Sequence, residues 1–296
     1  MSDLLLRNLA DSDDPLFLEA QTQAFKELEY IPRIKVGLPA LDRQGSFIAD
    51  RDGMMVGCIG LLKLDRPGWF EIRNLALRNP AEMETAKRLI EHVVEYLEAN
   101  NAEFVKASTP AIQPYVDLYK EAGFVPARRS LRIRWDLSNC QIPENKIQTS
   151  ELSEEWADDA ARAWIAGLRP YWDYWIEEQG GPEPIQAWVK ESVTKRQGWI
   201  GAFINKRLVG LAILRSDSYG SGEARFNGAY AIPERRKQGV GSALMNATVR
   251  EALKRGQKTM RVYTLAYLDH LAPGAVLYLK TGGRIEGEYL QLQKRG

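Results

Sequence analysis

The chain has 296 residues, 45% hydrophobic and 27% charged, which is enough apolar material for two cores and too much for disorder. Forty Lys and Arg balance thirty-nine Asp and Glu, and this near-neutral charge argues against a nucleic-acid partner. Cys58, Cys140, His92 and His270 show neither disulfide nor metal-ligand spacing, so no metal is expected. No apolar run reaches membrane-spanning length, and MSDLLLRNLADSDD lacks a basic leader before an apolar core, so a cytoplasmic protein with no membrane partner is expected.

In chain order, the elements describe one pattern twice. Phe47–Leu62 reads as a strand, a polar turn at Asp50–Gly53 and a second strand carrying Val56-Gly57, an antiparallel hairpin. The strand-like FEIRNLALRN ends at Pro80, and Ala86, Leu89, Ile90, Val93, Val94 and Leu97 then recur at helical spacing. The strand EFVKAST, the Leu-Tyr helix VDLYKEAGF and a last strand complete the first copy. Ser138–Ser150, with Pro143 and several turn-formers, marks a boundary, giving domains at 1–140 and 141–296.

The second copy repeats the hairpin at Ala202–Leu214, with its turn at Asn205–Arg207 and Val209-Gly210. ARFNGAYAI ends at Pro233, a helix starts on Val240, Ala243, Leu244 and Ala247, and TMRVYTLA, AVLYLKTGG and a final strand follow. The Val-Gly pairs stand as far apart as Pro80 and Pro233, and Tyr119 and Tyr278 a few residues further apart. Each copy orders its elements as strand, one or two helices, three strands, helix, strand, helix, strand. That order predicts an α/β fold with a mixed sheet, in two tandem domains.

The densest local signal is Pro233–Ala243, between a strand and a helix. Gly239 and Gly241 permit a tight turn whose N–H groups, with the helix N-terminus, can cradle a pyrophosphate. Arg235, Arg236 and Lys237 add positive charge; the competing reading is a glycine-capped helix with a solvated basic face. The first copy has Asn79-Pro80-Ala81-Glu82-Met83-Glu84-Thr85 at this turn, with no glycine and two carboxylates that would repel a diphosphate.

Arg236, Gly239 and Gly241 meet the pattern Arg/Gln-x-x-Gly-x-Gly/Ala, and with the repeat the chain resembles the GNAT acetyltransferase superfamily twice over nearly its whole length. The tandem layout is similar to that of mycothiol synthase, whose substrate is not carried over. The resemblance implies two GNAT-like domains, the N-terminal one degenerate, and acetyl-CoA as co-substrate in the C-terminal one. It implies cofactor contacts from Arg236, Lys237, Gln238, Gly239, Val240, Gly241 and Ser242. It also implies that the strand Asn227–Ile232 splays from its neighbour and offers backbone groups of Tyr230, Ala231 and Ile232 to the pantetheine arm. An N–H near Ala231 would polarise the thioester carbonyl.

Tyr278 matches the family's general acid, the alternative being a core tyrosine like Tyr119. The family's asparagine before this tyrosine is replaced by Leu271, and its Gly-Phe by Gly282-Gly283. Asn227 stands where many relatives carry a glutamate base. Glu223 is therefore a candidate base, against an ordered water or an exposed salt-bridging role, and His270 is either a relay or a solvated loop residue. Trp172, Tyr174 and Trp175, in a segment rich in acids, form either an acceptor wall for a cationic amine or inter-domain packing. These readings give N-acetyl transfer to a small amine such as an amino sugar, polyamine or antibiotic, by direct attack in a ternary complex. The alternatives are a non-catalytic acyl-CoA-binding module and a protein N-acetyltransferase. The two copies suit a monomer built as an internal pseudo-dimer.

Overall fold

The computed structural model describes residues 3–25, 31–140, 146–215 and 222–296, which fall into two compact units. Unit 1 is Met1–Ser130 with Gly287–Gly296, and unit 2 is Leu131–Glu286. Pro143 of the expected linker lies outside the described residues.

Unit 1 opens with β1 (Leu5–Asn8), α1 (Asp14–Ala24), α2 (Ile31–Gly37), β2 (Phe47–Arg51), β3 (Met54–Lys63) and β4 (Trp69–Leu77). α3 (Met83–Ala99), β5 (Phe104–Pro110), α4 (Gln113–Glu121) and β6 (Val125–Asp136) follow. β1 to β4 pair antiparallel in succession and β4 runs parallel to β5, a mixed sheet. Asp52 and Gly53 close the β2–β3 hairpin at φ 53° and 76°, the left-handed pair whose twist matches that of the strands. On α3, Ala86, Leu89, Ile90, Val93 and Leu97 are buried, as their spacing predicts.

Unit 2 contains β7 (Gln148–Glu151), α5 (Ala157–Leu168), α6 (Asp173–Glu178), α7 (Pro182–Thr194), β8 (Trp199–Ile204) and β9 (Arg207–Arg215). β10 (Ala224–Ala231), α8 (Val240–Lys254), β11 (Thr259–Ala266), α9 (Pro273–Lys280) and β12 (Arg284–Arg295) complete the chain. β7 to β10 are antiparallel neighbours, and β10 runs parallel to β11. Strand alternation sorts the core into two layers. Ala212 and Leu214 pack with α8 and α9, while Leu211 and Ile213 pack with α5 and α7. The second copy thus carries three helices after its first strand, one more than its sequence pattern suggests.

The units do not divide at 140/141. Leu131–Cys140 belongs to unit 2 and Gly287–Gly296 to unit 1, because each copy's terminal strand is long enough to be shared. In unit 1, Arg129 pairs with Glu288 at 2.9 Å, and Tyr289–Arg295 zips antiparallel onto β5. In unit 2, Ile133 and Trp135 pack in the core with Tyr278. A turn-rich linker shows where the chain changes direction, and it carries no information about which sheet a strand joins.

Gly210 sits where β9, β10 and α8 meet: a Cβ there would lie 2.7 Å from Val240 and 2.8 Å from the Tyr230 carbonyl oxygen. At the counterpart Gly57 the nearest atom, on the Leu77 side chain, would be 3.0 Å away. A backbone carbonyl held in a sheet cannot move aside. Gly210→Ala is therefore expected to cost about 2 kcal/mol and more than Gly57→Ala, measured as shifts in the denaturant midpoint.

Candidate active site

The site is built where β10 leaves its neighbour. β10 pairs with β11 only at Ala224–Met260 and Arg225–Arg261. A bulge between Phe226 and Ala229, with Gly228 at φ 112°, then bends the strand, which follows β9 alone. The Ile232 N–H donates to the Val209 oxygen at 3.0 Å. By ladder alternation the Tyr230 N–H also faces β9, while those of Ala229 and Ala231 face the opened side. Of the three strand residues expected to offer free groups, alternation turns only the Ala231 N–H toward the opened side. The Tyr230 and Ile232 donors belong to the β9 ladder, and the sequence could not reveal this because the bulge sets the phase. The Tyr230 ring packs edge-on against Trp164, with centroids 4.7 Å apart, and burial pushes its phenol well above the ordinary value.

Tyr278 meets β10 at this opening. Its hydroxyl accepts the Ala229 N–H at 3.1 Å, and its ring lies edge-on to Trp135 and Phe226 at 5.7 and 5.4 Å. Burial raises the phenol to about 12, partly offset by the Ala229 N–H. The hydroxyl therefore keeps its proton at neutral pH while its oxygen is positioned by the strand. The two readings of this residue converge: the ring is core, and the oxygen sits at the opened edge.

The turn before α8 is left-handed at Lys237 (φ 60°) and Gly239 (φ 84°), and Lys237, Gln238 and Gly239 are exposed. Val240 is 1% exposed, so its side chain belongs to the core and only its backbone can serve the turn. Gly241 lets α9 approach, since a Cβ would stand 2.9 Å from Leu277. Ser242 lines a groove of about 1300 Å³ with Asn246, Leu277 and Lys280, from α8 and α9. Gln238 folds back, donating to the Glu234 oxygen at 2.9 Å.

Arg236 does not face the turn. Its guanidinium donates to the carbonyls of Gly167 (3.1 Å), Ala166 (3.4 Å) and Arg169, and lies 5.1 Å from the Tyr171 ring centroid. There it satisfies the orphan carbonyls at the end of α5, which a cation also suits electrostatically. The counterpart turn in unit 1 is closed on itself: the Ala81 N–H donates to Asn79 Oδ1 at 3.1 Å, and Glu82 pairs with Arg51 at 2.7 Å.

Glu223 is not placed to act as a base. It accepts from Arg134 (2.9 Å), Thr259 (3.1 Å) and Arg261. Eight residues of extended chain, roughly 25 Å, separate it from Ala231. Its partners come from three different elements, so the sequence around it carries no sign of them. His270 is exposed, 2.6 Å from Asp269 and stacked on Tyr267 at 4.4 Å. Trp172 and Trp175 are partly buried against the α5–α7 core of their own unit, a packing role within unit 2 that differs from the inter-domain packing expected as the alternative. Tyr174 stacks with Trp172 at 5.8 Å and lies close enough to raise the Tyr230 phenol further. Sequence reasoning also passed over Gly274, where the atoms nearest an added Cβ, on Thr264 and Tyr278, would stand at an ordinary 3.7 Å.

Residues 150–272 match the model of the acetyltransferase (GNAT) family. No curated protein matches the chain. Among solved structures, a GCN5-related N-acetyltransferase from Sphaerobacter thermophilus superposes with TM-score 0.77 at 15% identity, covering 99% of this chain and 95% of that one. A tandem GNAT protein from the clavulanic acid biosynthesis pathway gives 0.67 at 15% identity, covering 99% and 98%. A GCN5-related glucosamine N-acetyltransferase region of a fungal multi-domain β-N-acetylglucosaminidase gives 0.70 at 15% identity, covering 99% of this chain but 38% of that one. These likenesses establish the tandem GNAT fold along the chain.

Arg236→Ala is expected to lower stability by about 1–2 kcal/mol through loss of a charged helix cap. It should also raise amide hydrogen exchange across residues 166–176, leaving the β8–β9 hairpin protected. Unchanged exchange in that segment would show that the cap does not hold it.

Proposed function

We propose that unit 2 transfers an acetyl group from acetyl-CoA to a primary amine, with Tyr278 as the general acid. The observation that carries this reading is the bond between the Tyr278 hydroxyl and the Ala229 N–H, on a strand edge freed by a bulge and continued by the glycine turn. Backbone N–H groups of the turn and the start of α8, with Lys237, would hold the pyrophosphate. The open edge of β10 would run beside the pantetheine arm. The Ala231 N–H would donate to the thioester carbonyl oxygen as charge develops there, a contribution of roughly 3 kcal/mol in enzymes of this kind. The acceptor loses one proton to solvent and attacks the carbonyl carbon as the free amine. The carbon–sulfur bond breaks as Tyr278 gives its proton to the departing thiolate, and the surplus proton of the acylated nitrogen, released to water, is balanced by the one that water returns to the phenol.

Tyr174, close enough to Tyr230 to raise its phenol, and the carboxylates of the 156–188 segment support a small cationic acceptor. The glucosamine in the fungal region's name belongs to that chemical class, so amino sugars head the amine panel. Glu223, held by two arginines, supports one rival, a module that binds acyl-CoA without turnover. In this reading unit 1, whose turn is internally capped, binds no acetyl-CoA and serves as a scaffold.

Calorimetry with acetyl-CoA should give one site per chain, lost when Gly239 and Gly241 are both changed to Glu. Two sites would disprove the silent first copy, and no binding would disprove the transferase. Tyr278→Phe should lower kcat about 100-fold or more while acetyl-CoA affinity changes less than about threefold. Because the phenol is raised to about 12, its ionisation should cause no fall in kcat between about pH 8 and 10. An alkaline limb in that range that vanishes in Tyr278→Phe would contradict the assigned role.

A further inference from the structure

The two copies differ at a second place besides the glycine turn. Aligned on their tyrosines, α4 carries Pro114-Tyr115-Val116-Asp117-Leu118-Tyr119 where α9 carries Pro273-Gly274-Ala275-Val276-Leu277-Tyr278. Each proline stands in the first turn of its helix, so the alignment is structural as well. Tyr115 and Gly274 are therefore counterparts.

The strands facing them can be aligned in the same way. Leu77 pairs with Gly57 as Ala231 pairs with Gly210. The following residue donates to the strand before it in both units, Arg78 to the Val56 oxygen at 2.9 Å and Ile232 to the Val209 oxygen at 3.0 Å. The Leu77 N–H is thus the counterpart of the Ala231 N–H, and both face the opened side of their strand. β4 also leaves its neighbour, since its pairing with β5 ends at Ile72–Ala107.

In unit 1 the protein's own side chains fill that opening. Tyr115 is 4% exposed, its ring meets Phe25 edge-on at 5.5 Å, and its hydroxyl is buried close to the Leu77 backbone with no hydrogen-bond partner among the described residues. Cys58, fully buried, lies beside it. Where the β3–β4 register shifts between Cys58 and Gly60, Gln21 donates to the Asn74 oxygen at 2.6 Å. In unit 2 the counterpart Gly274 carries no side chain, and the atoms nearest a Cβ placed on it, from Thr264 and Tyr278, would stand at an ordinary 3.7 Å.

We propose that Tyr115 is a built-in plug of the first cleft, and that Gly274 is the size-determining residue that keeps the second open to the thioester end of an acyl-CoA. The inference rests on the acetyl-CoA reading of unit 2. It deepens that reading by assigning the silence of the first copy to two independent blocks, a filled cleft and a capped turn. Glycine in the 79–85 turn would then not suffice to create a second site.

The test titrates Gly274→Ala, Gly274→Leu and Gly274→Tyr with acetyl-CoA and with 3′-phospho-ADP, which lacks the pantetheine arm. The Ala variant should bind both ligands within about threefold of wild type, and the Leu and Tyr variants should lose acetyl-CoA affinity by about tenfold or more while keeping 3′-phospho-ADP affinity and melting temperature. Wild-type acetyl-CoA affinity in Gly274→Tyr would overturn the inference. So would a parallel loss of both ligands in the Leu and Tyr variants, because the substitution would then act through the turn. Wild-type protein that binds neither ligand would instead overturn the acetyl-CoA reading, and the plug's purpose with it.

Discussion

The bend in β10 is the constraint from which the candidate site follows. A strand between two neighbours has its N–H and C=O groups satisfied on both edges, and parting it from one neighbour exposes a row of them. Here the parting follows Arg225 and is carried through Gly228, whose left-handed backbone and missing side chain let the strand bulge; a Cβ there would stand 2.7 Å from the Tyr230 ring. The Tyr278 hydroxyl satisfies one exposed donor, Ala229, and the next, Ala231, is left to the cleft. Gly210 and Gly167 then allow β9 and α5 to close on the bent strand, since a Cβ on Gly167 would lie 2.7 Å from Tyr230 Cβ. Three glycines and one tyrosine thus convert an ordinary ladder into an edge that can take a ligand.

The Arg236 contacts show how a motif can be met by residues that do different work. Spacing places glycines where the backbone must turn, and backbone direction follows from position, so Gly239 could be read from sequence. An arginine side chain has four rotatable bonds and reaches either side of a turn. In this chain it reaches the end of α5, where Ala166, Gly167 and Arg169 present carbonyls that nothing in the helix can satisfy. The effect is to join the turn before α8 to the start of the aromatic 170–175 segment. A motif's small residues therefore transfer more safely from sequence to structure than its long polar ones.

The tandem repeat, both hairpins and the two long helices were legible because each rests on local chemistry: paired left-handed turn residues, a proline and a helical stripe. What was not legible depends on distant partners. The division of β6 and β12 between the two units is decided by partners far away in the sequence. The phase of β10, which separates Ala231 from Tyr230 and Ile232, is decided by a bulge of one residue. The contrast between Tyr115 and Gly274 was visible in the sequence. It had no meaning until the strand opposite was seen to open.

The cluster around Glu223 explains how one end of β10 can be loose while the fold stays cooperative. Glu223 and Glu286 lie among Arg134, Arg261 and Arg132, with Arg132 4% exposed and 3.7 Å from Glu286. These groups come from β6, β11, β12 and the residue just before β10, so the cluster ties the start of β10 to the strands from which its other end departs. Opposite charges this close, and mostly removed from water, are stable only as a complete set, since loss of one partner leaves a poorly solvated charge. The two β10–β11 ladder pairs, at Ala224 and Arg225, fall directly after Glu223. The strand is therefore fastened at the end carrying the charges and open at the end carrying Ala231. A glutamate that sequence position alone offered as a proton acceptor has a different physical role: it holds closed the end of the cleft that must not open.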